Sequence, residues 1–140
     1  ETGKEYGVST GRPRRCGYLD LIALRYACIT NSFDSLALTH IDVYDSIDKM
    51  YVCVVYEIDG ERYDFFPANS AKLEEVEPIL EELPGWNDPI TNKTKYQDLT
   101  ENAKIYINYI EEFTETAVSI VSVGSDRNQT IIRNDVWTKY

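Results

Sequence analysis

A chain of 140 residues suits about one domain with a buried core, and 43% hydrophobic with 27% charged residues is an ordinary globular composition. Fourteen Lys and Arg against 24 Asp and Glu leave a formal charge of −10. That balance argues against non-specific nucleic-acid binding, which needs many cations on phosphates, and no apolar run approaches the ~20 residues of a membrane span.

The first informative stretch is Gly7-Val8-Ser9-Thr10-Gly11-Arg12-Pro13-Arg14-Arg15-Cys16-Gly17. Three of the seven arginines fall within four residues of this acidic chain, punctuated by Gly and Pro and flanked by the hydroxyls of Ser9 and Thr10. Guanidinium groups offered from such a loop suit carboxylates or phosphates, which they bind bidentately. Arg-Pro-Arg-Arg also matches basic processing and localisation patterns. Neither of these explains the preceding Ser-Thr-Gly or the helix expected to follow. That helix spans Tyr18 to about Thr30, with Leu19, Ile22, Ala23, Tyr26, Ala27 and Ile29 as its apolar stripe. The loop then leads into a helix N-terminus, whose free N–H groups also favour anions.

Leu36 to Val43 reads as a strand ending in polar residues, and Tyr51 to Ile58 as a second, rich in β-branched and aromatic side chains. Asp59-Gly60 between it and Glu61–Phe66 predicts a hairpin with a type I′ turn. Between Ala68 and Glu82, Ser70 is the candidate cap of a short helix through Glu77 that Pro78 ends. Glu74, Glu75, Glu77, Glu81 and Glu82 are read as a solvated acidic face, since their spacing matches no calcium loop. Pro84-Gly85-Trp86 marks a turn, and 87–98 a polar connection. Asp98 or Thr100 caps a second helix, Glu101 to about Glu115, with Ala103, Tyr106, Ile107, Ile110 and Phe113 on its core face. A strand over Ala117–Val123, a loop at Gly124–Arg127 and a short strand at Thr130–Ile132 complete the chain. The expected fold is α+β: a mixed sheet with an antiparallel hairpin and two main helices, in a single domain over 1–140.

Three cysteines, Cys16, Cys28 and Cys53, cannot all pair within one chain, which favours reduced thiols in a cytosolic protein. His40 is the sole histidine, no Cys/His set has zinc spacing, and neither a GxxxxGK[ST] nor a GxGxxG phosphate motif occurs. No catalytic residue and no metal ligand is therefore assigned. Two other positions carry chemistry by residue type. Asp42, leaving a strand, can accept from guanine N1–H and N2–H₂ together, a donor pair that adenine lacks. Gly124, after another strand, lets backbone approach a ligand closely. The bland readings are a polar strand end and a turn.

These residues together carry a family resemblance. Gly7 to Asp20 resembles the TTGRxRRxGWLD loop of adenylosuccinate synthetases, and Leu38-Thr39-His40-Ile41-Asp42-Val43 their LTKLDVLD strand. Leu83-Pro84-Gly85-Trp86 is similar to their LPGW turn, Leu99-Thr100-Glu101-Asn102-Ala103 to their LPENAKKY helix start, and Ser122–Arg127 to their SxGPDR segment. The matches keep the family's order and cover nearly the whole chain.

The resemblance implies the C-terminal, substrate- and guanine-binding part of a GTP-dependent ligase. Such enzymes join IMP and L-aspartate through a 6-phosphoryl-IMP intermediate in purine biosynthesis, as cytoplasmic homodimers with Mg²⁺. It implies that the magnesium ligands, the phosphate loop and the catalytic Asp and His belong to an N-terminal portion. A chain opening at Glu1 rather than Met fits an excised piece, and the isolated piece is expected to be inactive. Val8, Ser9, Thr10, Gly11, Arg12, Pro13 and Arg14 match the L-aspartate and IMP loop. Arg14, His40, Ile41, Asp42, Ser122, Val123 and Gly124 match the GTP-binding positions. Two departures fall together: His40 replaces the family's lysine and Ser125 its proline, the two residues that pack on the guanine faces. A histidine ring can stack there as a serine cannot. The alternative weighed is a non-catalytic nucleotide- or anion-binding module using the same loop, and the gene sequence upstream of Glu1 discriminates the two.

Overall fold

The computed structural model describes residues 5–134. Along them run β1 (Leu19–Asp20), α1 (Leu21–Asn31), β2 (Leu36–Leu38), β3 (Ile47–Ile58), β4 (Glu61–Tyr63), β5 (Glu77–Trp86), α2 (Glu101–Thr114), β6 (Val118–Ser122) and β7 (Thr130–Ile132). Short 3₁₀ turns lie at Ile41–Tyr44, Ser70–Glu75, Tyr96–Asp98 and Arg127–Gln129. The class is α+β with mixed sheets and two helices, as expected.

Strand β3 organises the first sheet because its alternation of β-branched, aromatic and polar residues fits a pleated, half-buried surface. It pairs antiparallel with β5 from Ile47↔Trp86 to Glu57↔Glu77, antiparallel with β4, and parallel with β1 at Leu19↔Val52. The β3–β4 turn has positive φ at both Asp59 (53°) and Gly60 (77°), the backbone that Asp-Gly predicted. The second sheet has the order β2–β6–β7, with β2 parallel and β7 antiparallel to β6. Helix α2 starts at a Thr100 side chain that accepts from the Ala103 N–H at 3.2 Å. It buries Ala103, Tyr106, Ile107 and Ile110 against Val118, Val121, Val123, Ile41, Trp86 and Ile90.

Three expectations are corrected. The segment expected to be a helix through Glu77 and then a turn is instead a 3₁₀ turn followed by the ten-residue strand β5, on which Glu77, Glu81 and Glu82, like Glu74 and Glu75 before them, stay exposed as the expected solvated acidic face. Its helical start is capped by Asn69, whose side chain accepts from the Ala71 N–H at 3.0 Å. Pro78 and Pro84 are tolerated because, among the strands of the described residues, β5 pairs with β3 alone and lies at the sheet edge. Gly85 is required because a Cβ there would lie 1.8 Å from the Ile47 carbonyl oxygen. Two of the acidic side chains reach cross-strand or helix partners: Glu82 meets Lys49 at 2.9 Å, and Glu81 accepts from the Tyr109 hydroxyl at 2.7 Å.

Helix α1 begins at Leu21, after Leu19 and Asp20 have joined a sheet. The later start rotates the buried face to Leu21, Ile22 and Cys28, and Ile29, expected inside, is 70% exposed. The strand expected over 36–43 stops at Leu38, because His40 turns into the left-handed region (φ 55°) and starts a 3₁₀ turn. No helix among the described residues is long and apolar enough to cross a membrane.

Candidate functional site

Because β2 and β6 are parallel neighbours with Leu38 opposite Val121, their carboxyl ends deliver His40–Asp42 and Ser122–Gly124 side by side. The crevice beyond the carboxyl ends of parallel strands is where such sheets bind ligands. The left-handed His40 turns the chain so that Ile41, 2% exposed, is driven into the core and Asp42 follows in the first turn of the 3₁₀ segment. Oδ1 of Asp42 is buried and has no hydrogen-bond partner among the described residues. The His40 imidazole stands beside it with Nδ1 at 3.8 Å, beyond hydrogen-bond reach. Leaving a buried acceptor unmet costs roughly 1–3 kcal/mol, so a donor brought to this oxygen would be bound favourably.

Opposite it, Val123 is fully buried and its N–H donates to the Gln129 carbonyl at 2.8 Å, while the Ser122 hydroxyl donates to the Gly124 carbonyl at 2.8 Å. The sequence reading gave Gly124 its missing side chain so that a ligand could approach. The structure assigns that space to Gln129, whose Oε1 lies 2.2 Å from where a Cβ on Gly124 would stand. The same Oε1 accepts from the Asp126 N–H at 2.9 Å, and Nε2 donates to the Thr91 carbonyl at 3.1 Å. The Asp126 side chain accepts from the Asn128 N–H at 2.8 Å, and Asp126 and Gln129 together form a capping box. Gln129 and Thr91 escaped the sequence reading. The Asp126-x-x-Gln129 spacing was the available signal for the first, and no local signal marks the second.

The arginine loop forms a separate, self-contained hairpin. Gly7 N–H donates to the Arg12 carbonyl, Gly11 N–H to the Gly7 carbonyl and Arg14 N–H to the Glu5 carbonyl, each at 2.8 Å, with Tyr6 bridged to Pro13. Gly11 takes φ 63°, which a glycine adopts without strain. Val8, Ser9, Thr10, Gly11, Arg12, Pro13 and Arg14 are all exposed. Arg14 contacts Glu5 at 3.3 Å across solvent, and Arg12 makes no ion pair among the described residues. The loop does not serve a helix N-terminus as the sequence suggested. It enters β1, and the start of α1 is already satisfied by Asp20, whose side chain accepts from the Ala23 N–H at 3.0 Å.

The structure thus brings His40, Ile41, Asp42, Ser122, Val123 and Gly124 together and keeps the loop residues apart from them. The loop leads into the first sheet, whereas the strand ends belong to the second. Among the described residues no hydrogen bond or ion pair links Arg14 to the Asp42 cluster. No group of three or more His, Cys, Asp or Glu side chains that could hold a metal ion occurs among the described residues.

Residues 1–131 match a family model described as adenylosuccinate synthetase. The chain is 48% identical over 136 residues to an adenylosuccinate synthetase of Clostridium novyi, covering 97% of this chain and 32% of that protein. It is 49% identical over 131 residues to one from Clostridium perfringens, covering 94% of this chain and 31% of that protein. A solved structure described as fully ligated adenylosuccinate synthetase from Plasmodium falciparum superposes with a TM-score of 0.89 at 36% identity, over 95% of this chain and 32% of that one. The chain spans about a third of the length of the relatives it matches.

Proposed function

The chain belongs to the adenylosuccinate synthetase family, and on that premise we propose that it is the substrate-positioning and guanine-reading part of a GTP-dependent ligase that joins IMP to L-aspartate. The observation that carries the reading is the buried Oδ1 of Asp42, unpartnered among the described residues, just past the end of a parallel strand beside Ser122–Gly124.

In this reading the Asp42 carboxylate accepts the paired N1–H and N2–H₂ of guanine, which rejects adenine because adenine lacks that donor pair. Ser122, Val123 and Gly124 form the facing backbone wall, with the His40 imidazole stacking on the base and Ser125 offering only a small, polar contact. The exposed guanidiniums of Arg12 and Arg14, carried with Val8, Ser9, Thr10, Gly11 and Pro13, grip the two carboxylates of L-aspartate. Arg12 also reaches the IMP ribose, and Arg14 the GTP. Fixing the dicarboxylate aims its amine at C6 of the activated purine, so the contribution of this chain to catalysis is positioning. Phosphoryl transfer, Mg²⁺ binding and proton transfer fall to the rest of the enzyme, which we place in the cytoplasm as a homodimer. The 140-residue chain by itself should show no turnover.

The test is Asp42→Asn in the complete enzyme. An amide offers one acceptor and sets an N–H₂ against the guanine donors, so KM for GTP should rise by about tenfold or more. The preference for GTP over ITP, which lacks the 2-amino group, should shrink, while KM for L-aspartate and IMP stays put. Unchanged GTP kinetics would overturn the guanine assignment.

A further inference from the structure

We infer that Gln129, anchored through Asp45, is a positioning residue for nucleotide binding: the pair locks the Ser122–Gly124 wall to the turn that carries Asp42. The inference rests on the guanine reading above and extends it to residues that would not touch the base.

The bridge can be followed atom by atom. Asp45 closes the 3₁₀ turn, its N–H donating to the Asp42 carbonyl at 3.0 Å. Its Oδ1 accepts from the Trp86 indole N–H at 2.8 Å, and its Oδ2 from the Ile90 N–H at 3.1 Å, with the Thr91 hydroxyl at 3.5 Å. The Thr91 carbonyl accepts from Gln129 Nε2 at 3.1 Å. Gln129 then holds the opposite wall at three points: its carbonyl takes the Val123 N–H, its Oε1 takes the Asp126 N–H, and its amide covers the bare α-carbon of Gly124.

A planar base fits between two walls only if their separation is fixed to within about half an ångström. Pairing of β2 with β6 fixes it as far as Leu38↔Val121. Beyond those strand ends, the Asp45–Thr91–Gln129 path joins the walls without passing through the ligand. A carboxamide is the side chain that meets both needs at once, donating to the Thr91 carbonyl while accepting from Asp126 N–H. Glutamate at 129 keeps the size and the acceptor but sets an anionic oxygen against the Thr91 carbonyl, and methionine keeps the bulk and loses both bonds.

The experiment compares Gln129→Glu, Gln129→Met and Asp42→Asn in the complete enzyme by steady-state kinetics with each substrate and by thermal denaturation. Both Gln129 variants should raise KM for GTP by about fivefold to twentyfold, with kcat within about twofold and KM for IMP and L-aspartate unchanged. A GTP-specific rise in KM at wild-type thermal stability supports the inference. Wild-type KM for GTP in the Gln129 variants, with Asp42→Asn still impaired, overturns it and leaves the guanine reading standing. Wild-type GTP kinetics in all three variants removes both. Parallel losses for all three substrates with a lowered melting temperature would make Gln129 merely structural and overturn the inference. If Gln129→Met does not fold, the near-isosteric Gln129→Glu decides.

Discussion

The indole N–H of Trp86 donates to Oδ1 of Asp45 at 2.8 Å, joining the buried end of β5 to the residue that closes the Asp42 turn. Trp86 is 2% exposed and packs edge-on to Tyr44, so the bond lies in an aromatic, water-poor setting. Asp45→Ala would orphan this N–H and the Ile90 N–H together. Each buried donor left unmet costs roughly 1–3 kcal/mol, so a loss of about 2–6 kcal/mol is expected for the two. Thermal denaturation of the complete enzyme should register it as an earlier transition. An unshifted melting curve would mean that the Asp45 carboxylate is dispensable to the fold.

Alkaline conditions should weaken the protein through its buried acids. Burial pushes the Cys53 thiol from an ordinary 9.0 up to about 11, and the neighbouring Asp20 carboxylate adds to the rise. Tyr56, Tyr106 and Tyr109 are raised as well, each chiefly by burial; Tyr56 is raised further by its bond to Asp20 and Tyr109 by its bond to Glu81. A raised folded-state value means that the native form holds its proton after the unfolded chain has lost it. The associated stability is complete below about 9 and drains away as pH climbs towards 11. Denaturation midpoints taken between pH 8 and 11 should therefore fall, and Cys53→Ala should flatten the early part of the decline. At pH 8, iodoacetamide should label exposed Cys16 and spare buried Cys28 and Cys53 until denaturant is added. A flat stability profile, or native labelling of Cys53, would contradict this account.

What could be read in the sequence was what local chemistry dictates. The Asp59-Gly60 turn requires two positive φ values whatever surrounds it, and the 3.6-residue stripe of α2 needs only its own side chains to announce a buried face. Strand β5 was hidden because Pro78, Pro84 and Gly85 each argue locally for a break. Its stability comes instead from pairing with β3, a partner distant in sequence, and from the close pass of Gly85 over Ile47. The site divides in the same way. Asp42 could be singled out because a carboxylate at a strand end has an evident use. That its Oδ1 is buried with no partner among the described residues goes with the left-handed turn at His40, which a histidine does not advertise. The Asp45–Thr91–Gln129 bridge joins three segments far apart in the chain, so only their folded arrangement reveals it.

Arg12 offers a test free of folding effects, because its side chain is exposed and makes no ion pair among the described residues. Its removal should therefore change ligand binding and leave stability alone, unlike a change at Asp45. A lost charge-assisted hydrogen bond costs roughly 1.5–3 kcal/mol, so Arg12→Leu in the complete enzyme should reduce kcat/KM for L-aspartate by more than about 2 kcal/mol, near thirtyfold. Arg12→Lys should recover only part of this, since an ammonium restores the charge but cannot grip a carboxylate through two parallel N–H bonds. Arg14 already faces Glu5 at 3.3 Å, so engaging a substrate there means exchanging one carboxylate for another, and the lost binding at Arg14 should be the smaller of the two. Steady-state kinetics with varied L-aspartate read Arg12→Leu, Arg12→Lys and Arg14→Leu directly. Wild-type kinetics in Arg12→Leu, at unchanged melting temperature, would remove the loop from the aspartate site.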